Sequence, residues 1–316
     1  MGDSQRVAYL NGDWVPESNS NVSVFDLGLL YGQMVFELTR TYNRKPFRLV
    51  HHLQRLYNSM QVADIDCGLT MDEMYDLTMD LLERNLHTLA DGDDFAIWHN
   101  CSPGIQPQYR VMAPQSERPT VAINVWPISQ FKPEQWIHQS IGMDAVITPQ
   151  RTVPSKLIDP KVKNRSRMHY RMAEVQAARI KPGSMAILVD DDGHISEGTS
   201  CNIMLVRDGT LVSPEPRNIL RGVTRGAIID LAQALEIPFV ETNLDPYDVY
   251  TADEAFFCST SFAVMPIRTV DDHRISDGIP GPVTQRIIDA FSDDVGIDFV
   301  QQARDLFDLP QPALAH

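Results

Sequence analysis

Only six lysines stand against 21 arginines in this chain of 316 residues, and three of them, Lys156, Lys161 and Lys163, fall close together. A reaction that needs an amine as nucleophile therefore has few places to go. The densest stretch is Ile158-Asp159-Pro160-Lys161-Val162-Lys163-Asn164-Arg165, between a loop and a helix. Taken alone, such a run also reads as a solvated basic face. A second stretch, Ile195-Ser196-Glu197-Gly198-Thr199-Ser200-Cys201-Asn202, gathers small polar residues around one carboxylate and alone reads as a loop between two strands. A third, Leu220-Arg221-Gly222-Val223-Thr224-Arg225, precedes an amphipathic helix. Unpaired N–H groups at a helix start, with the helix dipole, form a natural phosphate seat. A plain N-cap fits that fragment equally well.

Positioning these stretches needs a scaffold of strands and helices. Residues 6–14 carry the turn signal Asn11-Gly12 and read as a hairpin. Residues 35–42 alternate, with Phe36, Leu38 and Arg40 on one side and Val35, Glu37 and Thr39 on the other. Leu53, Leu56, Tyr57 and Met60 keep helical spacing, and a second helix opens with the capping box Thr70-x-x-Glu73. Strands are expected at 95–100 and 120–126. Prolines at 127 and 133 then break the pattern. Residues 1–126 are read as a small N-terminal α/β domain, 127–136 as a linker, and 137–316 as a larger C-terminal domain carrying Lys163. That domain is expected to hold strands at 143–148, 185–189, 203–206 and 254–258. Its helices are expected at 166–180, with Met168, Met172, Val175 and Arg179 along one stripe, at 224–235, and finally at 282–291. The tail from Leu309 reads as frayed. Strands and helices mix without repeating βαβ units, so the fold class is α+β.

Composition narrows the function classes. With 42 acidic against 27 basic residues the net charge is −15, which disfavours gripping nucleic acid or an anionic membrane surface. No apolar run approaches the roughly 18 residues of a membrane span, and residues 1–5 lack the basic and apolar regions of a signal peptide. The four cysteines, Cys67, Cys101, Cys201 and Cys258, are scattered without metal or redox spacing. A cytoplasmic protein with reduced thiols and no metal is expected.

Together and in this order, the stretches resemble the class IV aminotransferases, the fold-type IV pyridoxal-phosphate enzymes. That group includes branched-chain and D-amino acid aminotransferases, (R)-amine transaminases and aminodeoxychorismate lyase. The matching residues are Tyr31-Gly32-Gln33-Met34-Val35-Phe36-Glu37, Phe47-Arg48-Leu49 with His52-Leu53-Gln54-Arg55-Leu56, and Val162-Lys163-Asn164. They continue with Ser196-Glu197-Gly198, Asn202-Ile203, Gly222-Val223-Thr224-Arg225, Ala252-Asp253-Glu254 and Gly281-Pro282-Val283-Thr284. Each fragment is short, but their order covers residues 8 to 292.

The resemblance implies a two-domain α+β fold, pyridoxal 5'-phosphate as cofactor, and a homodimer with the active site between the domains. Lys163 would be the Schiff-base lysine and proton shuttle, with Lys161 as the structural alternative; basic neighbours such as Arg165 would favour its neutral amine. Glu197 would face the pyridine nitrogen. Arg55, the Val223 and Thr224 amides, the Thr224 hydroxyl and Thr260 would hold the phosphate. The substrate pocket would use Tyr31, Phe36, Arg40 and Trp98, with Arg40 as the anion clamp or, alternatively, paired with a carboxylate such as Glu37. The sequence departs from its relatives in two places. The strand Phe95-Ala96-Ile97-Trp98-His99-Asn100-Cys101 has no arginine where branched-chain enzymes carry Tyr-x-Arg, and Met168 replaces a cofactor-binding tyrosine, leaving Tyr170 as a candidate contact. The implied activity is amino transfer from a small amino acid or amine to a 2-oxo acid by a ping-pong mechanism. A lyase of the aminodeoxychorismate type and a non-catalytic relative are the alternatives.

Overall fold

The computed structural model describes residues 5–112, 118–131, 136 and 138–307. Residues 132–135 of the expected linker and the expected frayed tail from Leu309 lie outside the described residues. The chain forms two compact units, Met1–Phe131 with Val162–Ser166, and Lys132–Lys161 with Arg167–His316. Lys163, expected on the C-terminal domain, is therefore built into the first unit.

In that unit β1 (Val7–Leu10) and β2 (Asp13–Pro16) form the hairpin. Asn11 and Gly12 take φ of 53° and 103°, the left-handed backbone that a two-residue turn between twisted strands demands. After the helical turn α1 (Leu27–Leu30) come β3 (Val35–Tyr42), β4 (Lys45–Pro46), α2 (Leu49–Val62), α3 (Met71–Asn85), β5 (Phe95–Ser102) and β6 (Thr120–Pro127). The expected capping box of α3 is present, with Thr70 and Glu73 bonded reciprocally. The strands make one antiparallel sheet in the order β2-β1-β6-β5-β3-β4. Period-two alternation sorts its faces. Val35, Phe95, Ile97, Cys101, Val121, Ile123 and Val125 pack with Leu53, Leu56 and Met60 of α2 and Met74 and Leu81 of α3. The other face carries Phe36, Leu38 and Arg40, opposite Asn100, Trp98 and Ala96 respectively.

The second unit contains α4 (His138–Ile141), β7 (Met143–Arg151), α5 (Met168–Ile180), β8 (Met185–Val189), β9 (Ile195–Gly198), β10 (Asn202–Arg207), β11 (Thr210–Pro214) and α6 (Val223–Ala234). It continues through β12 (Phe239–Thr242), α7 (Pro246–Tyr250), β13 (Glu254–Ser259), β14 (Ala263–Val270), β15 (His273–Arg274), α8 (Pro282–Val295) and α9 (Phe299–Phe307). The strand order is β12-β11-β10-β13-β14-β7-β8-β9, and β9 pairs back to β10 through Glu197 and Asn202. Six strands thus close a ring, which leaves β9 and β10 no open edge.

Three expectations change here. Residues 195–198, expected as loop, form β9; polar side chains hide the strand because they are satisfied inside, as when Ser196 Oγ donates to Leu188 O at 3.0 Å. The stripe expected on α5 is not its buried face: Met168 is 75% exposed, and Ala173 and Ala177 are buried instead against Val146, Ala186 and Leu188. Small side chains let this crossover helix approach the parallel strands β7 and β8 closely. Finally, α9 follows the helix expected to be last, with Phe299 and Ala303 buried at i and i+4. One motif pair is structural: Glu254 accepts the Val283 and Thr284 amides at 2.8 and 2.7 Å and so caps α8. A Cβ on Gly281 would meet the Glu254 carboxyl carbon at 2.3 Å, so the cap requires glycine there.

Candidate active site

In the first unit, Lys163 is seated by β3. Phe36 N donates to Lys163 O at 2.9 Å and Arg165 N to Met34 O at 2.8 Å, with Val35 and Asn164 forming an antiparallel bridge. Lys163 N also donates to Ser59 Oγ on α2 at 3.2 Å. These bonds fix an extended three-residue step, so Lys163 and Arg165 leave the backbone on the same side. Lys163 Nζ lies 4.7 Å from the centre of the Phe36 ring, which stacks on Trp98 at 5.8 Å with 14° between planes. Phe36 and Trp98 are thus brought together with the lysine. Lys161 is tied to Asp159 at 2.8 Å.

Arg40 shares that sheet face but is only 1% exposed, with its guanidinium 4.5 Å from the Tyr42 ring centre. Glu37, weighed as its partner, points to the helix side. Its Oε1 accepts Arg55 Nε at 2.6 Å, and its Oε2 accepts Arg55 Nη2 at 2.7 Å and the His52 ring at 2.8 Å. Burial alone would raise the Glu37 pKa, but the Arg55 charge and the bonds from Arg55 and His52 outweigh it and hold the carboxyl well below the usual range. Burial, with the Arg55 and Lys163 charges, lowers His52 despite its bond to Glu37. The ring is therefore read as neutral, donating through Nδ1–H, with Nε2 buried and lacking a partner. Arg55, expected at the phosphate, is oriented by this fork. Tyr31, at the end of α1, is 65% exposed.

In the second unit, Glu197 is 4% exposed on β9. Its Oε1 accepts the Tyr170 hydroxyl at 2.6 Å, and its Oε2 accepts Leu220 N at 3.0 Å and Asn202 Nδ2 at 3.3 Å. Burial first, and then the neighbouring Glu197 charge, raise the Tyr170 pKa, so the hydroxyl stays a donor. Asn202 Nδ2 also donates to Leu220 O at 2.9 Å. Glu197 is thereby locked to the turn leading into α6. There Gly222 is the N-cap with no side-chain cap bond, Val223 begins the helix and Thr224 is buried. A Cβ at Gly222 would stand 2.2 Å from Asn202 Oδ1. Thr260 occupies the turn between β13 and β14, beside Ser259 and Ser261, whose hydroxyls lie 3.0 Å apart. A buried carboxylate fixed near a helix N-terminus suits a ligand with a protonated ring nitrogen and a phosphate. Asn202 and Asn100 are the residues sequence reasoning did not assign. Asn202 stood within a matched fragment, and period-two spacing puts Asn100 on the face of Trp98.

The class IV aminotransferase model ("Amino-transferase class IV") matches residues 34–270. The chain belongs to the class IV aminotransferases. This aminotransferase is 30% identical over 288 residues to the branched-chain-amino-acid aminotransferase of Escherichia coli K12, covering 90% of this chain and 91% of that one. The solved branched-chain amino acid aminotransferase of Escherichia coli superposes with a TM-score of 0.81 at 28% identity, covering 92% and 94%. The T.th. branched-chain amino acid aminotransferase complexed with N-(5'-phosphopyridoxyl)-L-glutamate gives 0.80 at 25% identity, again covering 92% and 94%.

Proposed function

We propose that the amino donor of this aminotransferase is an apolar amino acid of the branched-chain kind. The observation that carries this reading is the Lys163 amine held 4.7 Å above the Phe36 ring, on the aromatic face shared with Trp98. The reaction moves the amino group to a 2-oxo acid in two ping-pong half-reactions. The names of the relatives support the branched-chain class, and the elimination of a lyase is not better supported.

Pyridoxal 5'-phosphate, the cofactor, supplies an electrophilic carbon and a conjugated ring that accepts the electron pair released at the substrate carbon. Lys163 would carry the proton from the donor's amino-bearing carbon to the cofactor's electrophilic carbon, and in the reverse direction when the 2-oxo acid is converted. Glu197, kept in place by Tyr170, Asn202 and the Leu220 amide, holds a proton on the ring nitrogen. In the second unit the Val223 and Thr224 amides, the Thr224 hydroxyl and Thr260 would receive the phosphate; Arg55, its fork fixed by Glu37 in the first unit, is taken as a phosphate contact from the resemblance. Tyr170 reaches the site through Glu197. Phe36 and Trp98 wall the apolar side chain and Tyr31 is the further pocket residue, while Arg40, buried beside Tyr42, lies farther along the same sheet face. The protein is further proposed to be a cytoplasmic homodimer. Leu29, Leu30 and Tyr31 are 64, 43 and 65% exposed on and beside α1, apolar surface that a second copy would cover. No helix among the described residues is long and apolar enough to cross a membrane.

The test is a half-reaction on the yellow holoenzyme, adding L-leucine, D-alanine and (R)-1-phenylethylamine separately and following the cofactor band. Bleaching by leucine, reversed by a 2-oxo acid, is expected. In Lys163→Ala the cofactor stays bound noncovalently and turnover ceases. Bleaching by the amine alone would replace the donor class, and full activity in Lys163→Ala would remove the lysine's role.

A further inference from the structure

An amino acid carries its carboxylate on the same carbon as its amino group. Any cation that reads it must therefore lie close to the amine that works on that carbon. In the first unit Arg165 meets this condition. Its guanidinium carbon lies 3.8 Å from the centre of the Phe36 ring and 4.6 Å from that of Trp98, and Phe36 is the ring that carries Lys163 Nζ at 4.7 Å. The backbone bonds to β3 put both side chains on one side of a short extended step. Arg165 is oriented as well as near. Its Nε and Nη2 donate to Asn100 Oδ1 at 3.0 and 2.6 Å. That oxygen belongs to a neutral amide, and the bond fixes the plane of the guanidinium. Stacking on two aromatic rings favours the cation further, and a planar guanidinium matches a carboxylate better than an ammonium does.

Arg40 is placed differently. It lies four residues beyond Phe36, about 13 Å along a strand, and is 1% exposed beside Tyr42. The strand β5 supplies Asn100, the residue that aims Arg165.

We propose that Arg165 is the specificity-determining residue that binds the substrate carboxylate, with Asn100 as its positioning residue. The substrate class is then 2-amino and 2-oxo carboxylates, selected over amines that lack the acid group. The inference rests on the transaminase reading above, because it takes Lys163 as the amine that works on the substrate.

The experiment uses the holoenzyme of the wild type and of Arg165→Gln, Arg165→Lys, Asn100→Leu and Arg40→Gln. Two quantities are read: the dissociation constant of the unreactive probe 4-methylvalerate, from its perturbation of the cofactor band, and the split between KM and kcat for leucine and a 2-oxo acid. Arg165→Gln is expected to weaken the probe about tenfold to hundredfold, the range for losing a charged hydrogen-bonding partner. KM should rise by a similar factor and kcat should fall much less. Arg165→Lys and Asn100→Leu, which keep a cation but lose the aimed fork, should lie between; they carry the test if Arg165→Gln does not fold. Unchanged probe binding in the folded Arg165 variants overturns the proposal, as does a shift confined to Arg40→Gln. A wild type that binds the probe but transaminates nothing would sink the transaminase reading separately.

Discussion

Glu37 shows how one buried carboxylate organises charge behind the pocket. Its side chain is 0% exposed, and its oxygens are claimed by Arg55 and His52. Removing one member of such a group strands the others in a medium where an uncompensated charge is costly. Glu37→Gln is therefore expected to lower the unfolding free energy by about 3–5 kcal/mol, measured by urea denaturation at neutral pH. It should also weaken cofactor binding, because Arg55 loses the fork that orients it. A loss below about 1 kcal/mol would mean that the pair gives little net stability, as exposed pairs do. The sequence showed that Glu37 and Arg40 face opposite sides, but not which partner each finds. The partner of Glu37 lies on α2, and period-two alternation carries no information about a neighbouring helix.

The start of α6 carries its chemistry through backbone rather than side chain. Gly222 leaves room for Asn202, which ties Glu197 to Leu220. Gly222→Ala would force the new Cβ against Asn202 Oδ1 and break that tie while keeping helical propensity. Its affinity for pyridoxal phosphate is expected to fall about tenfold or more, consistent with losing about one hydrogen bond's worth of alignment, as read by titrating cofactor into the apoenzyme. Equal affinity would show that Asn202 yields without disturbing the seat. This element was legible in the sequence, because Gly-Val-Thr before an amphipathic pattern is a local signal. So were β3, α2 and the α3 capping box. The strand β9 was not, since Ser196 and Glu197 are buried polar residues whose satisfaction depends on distant partners. Nor was the buried face of α5, where alanines win by allowing close approach and the larger methionines are left outside.

At the scale of the whole molecule, the buried histidines tie stability to pH. Burial pushes His99 down to about 4, and burial also lowers His52 despite its bond to Glu37. Thr78 Oγ1 lies 2.6 Å from Met74 O, to which it donates, and 2.8 Å from His99 Nε2, whose proton it accepts. The fold thus holds His99 neutral while an unfolded chain would protonate it near pH 6.5. Between those values the unfolded state binds more protons, so stability rises with pH and is lost as pH falls from about 6.5 towards 4. The His99 share is on the order of 3 kcal/mol. Urea unfolding at pH 7.5, 6 and 5 should show this decline, and His99→Phe should flatten it, leaving the slope due to His52. Identical slopes in the two proteins would remove His99 as the cause.

The five-residue segment Val162–Ser166 belongs to the first unit by packing, yet second-unit residues precede and follow it in the chain. Recombination between two related genes therefore meets a constraint. The lysine's seat is written at residues 34–36 and at Ser59, more than a hundred positions before the lysine itself. A single crossover anywhere from 60 to 161 draws the seat from one parent and the amine from the other. Viable chimeras should therefore be those whose parents agree at both places, whatever else they exchange.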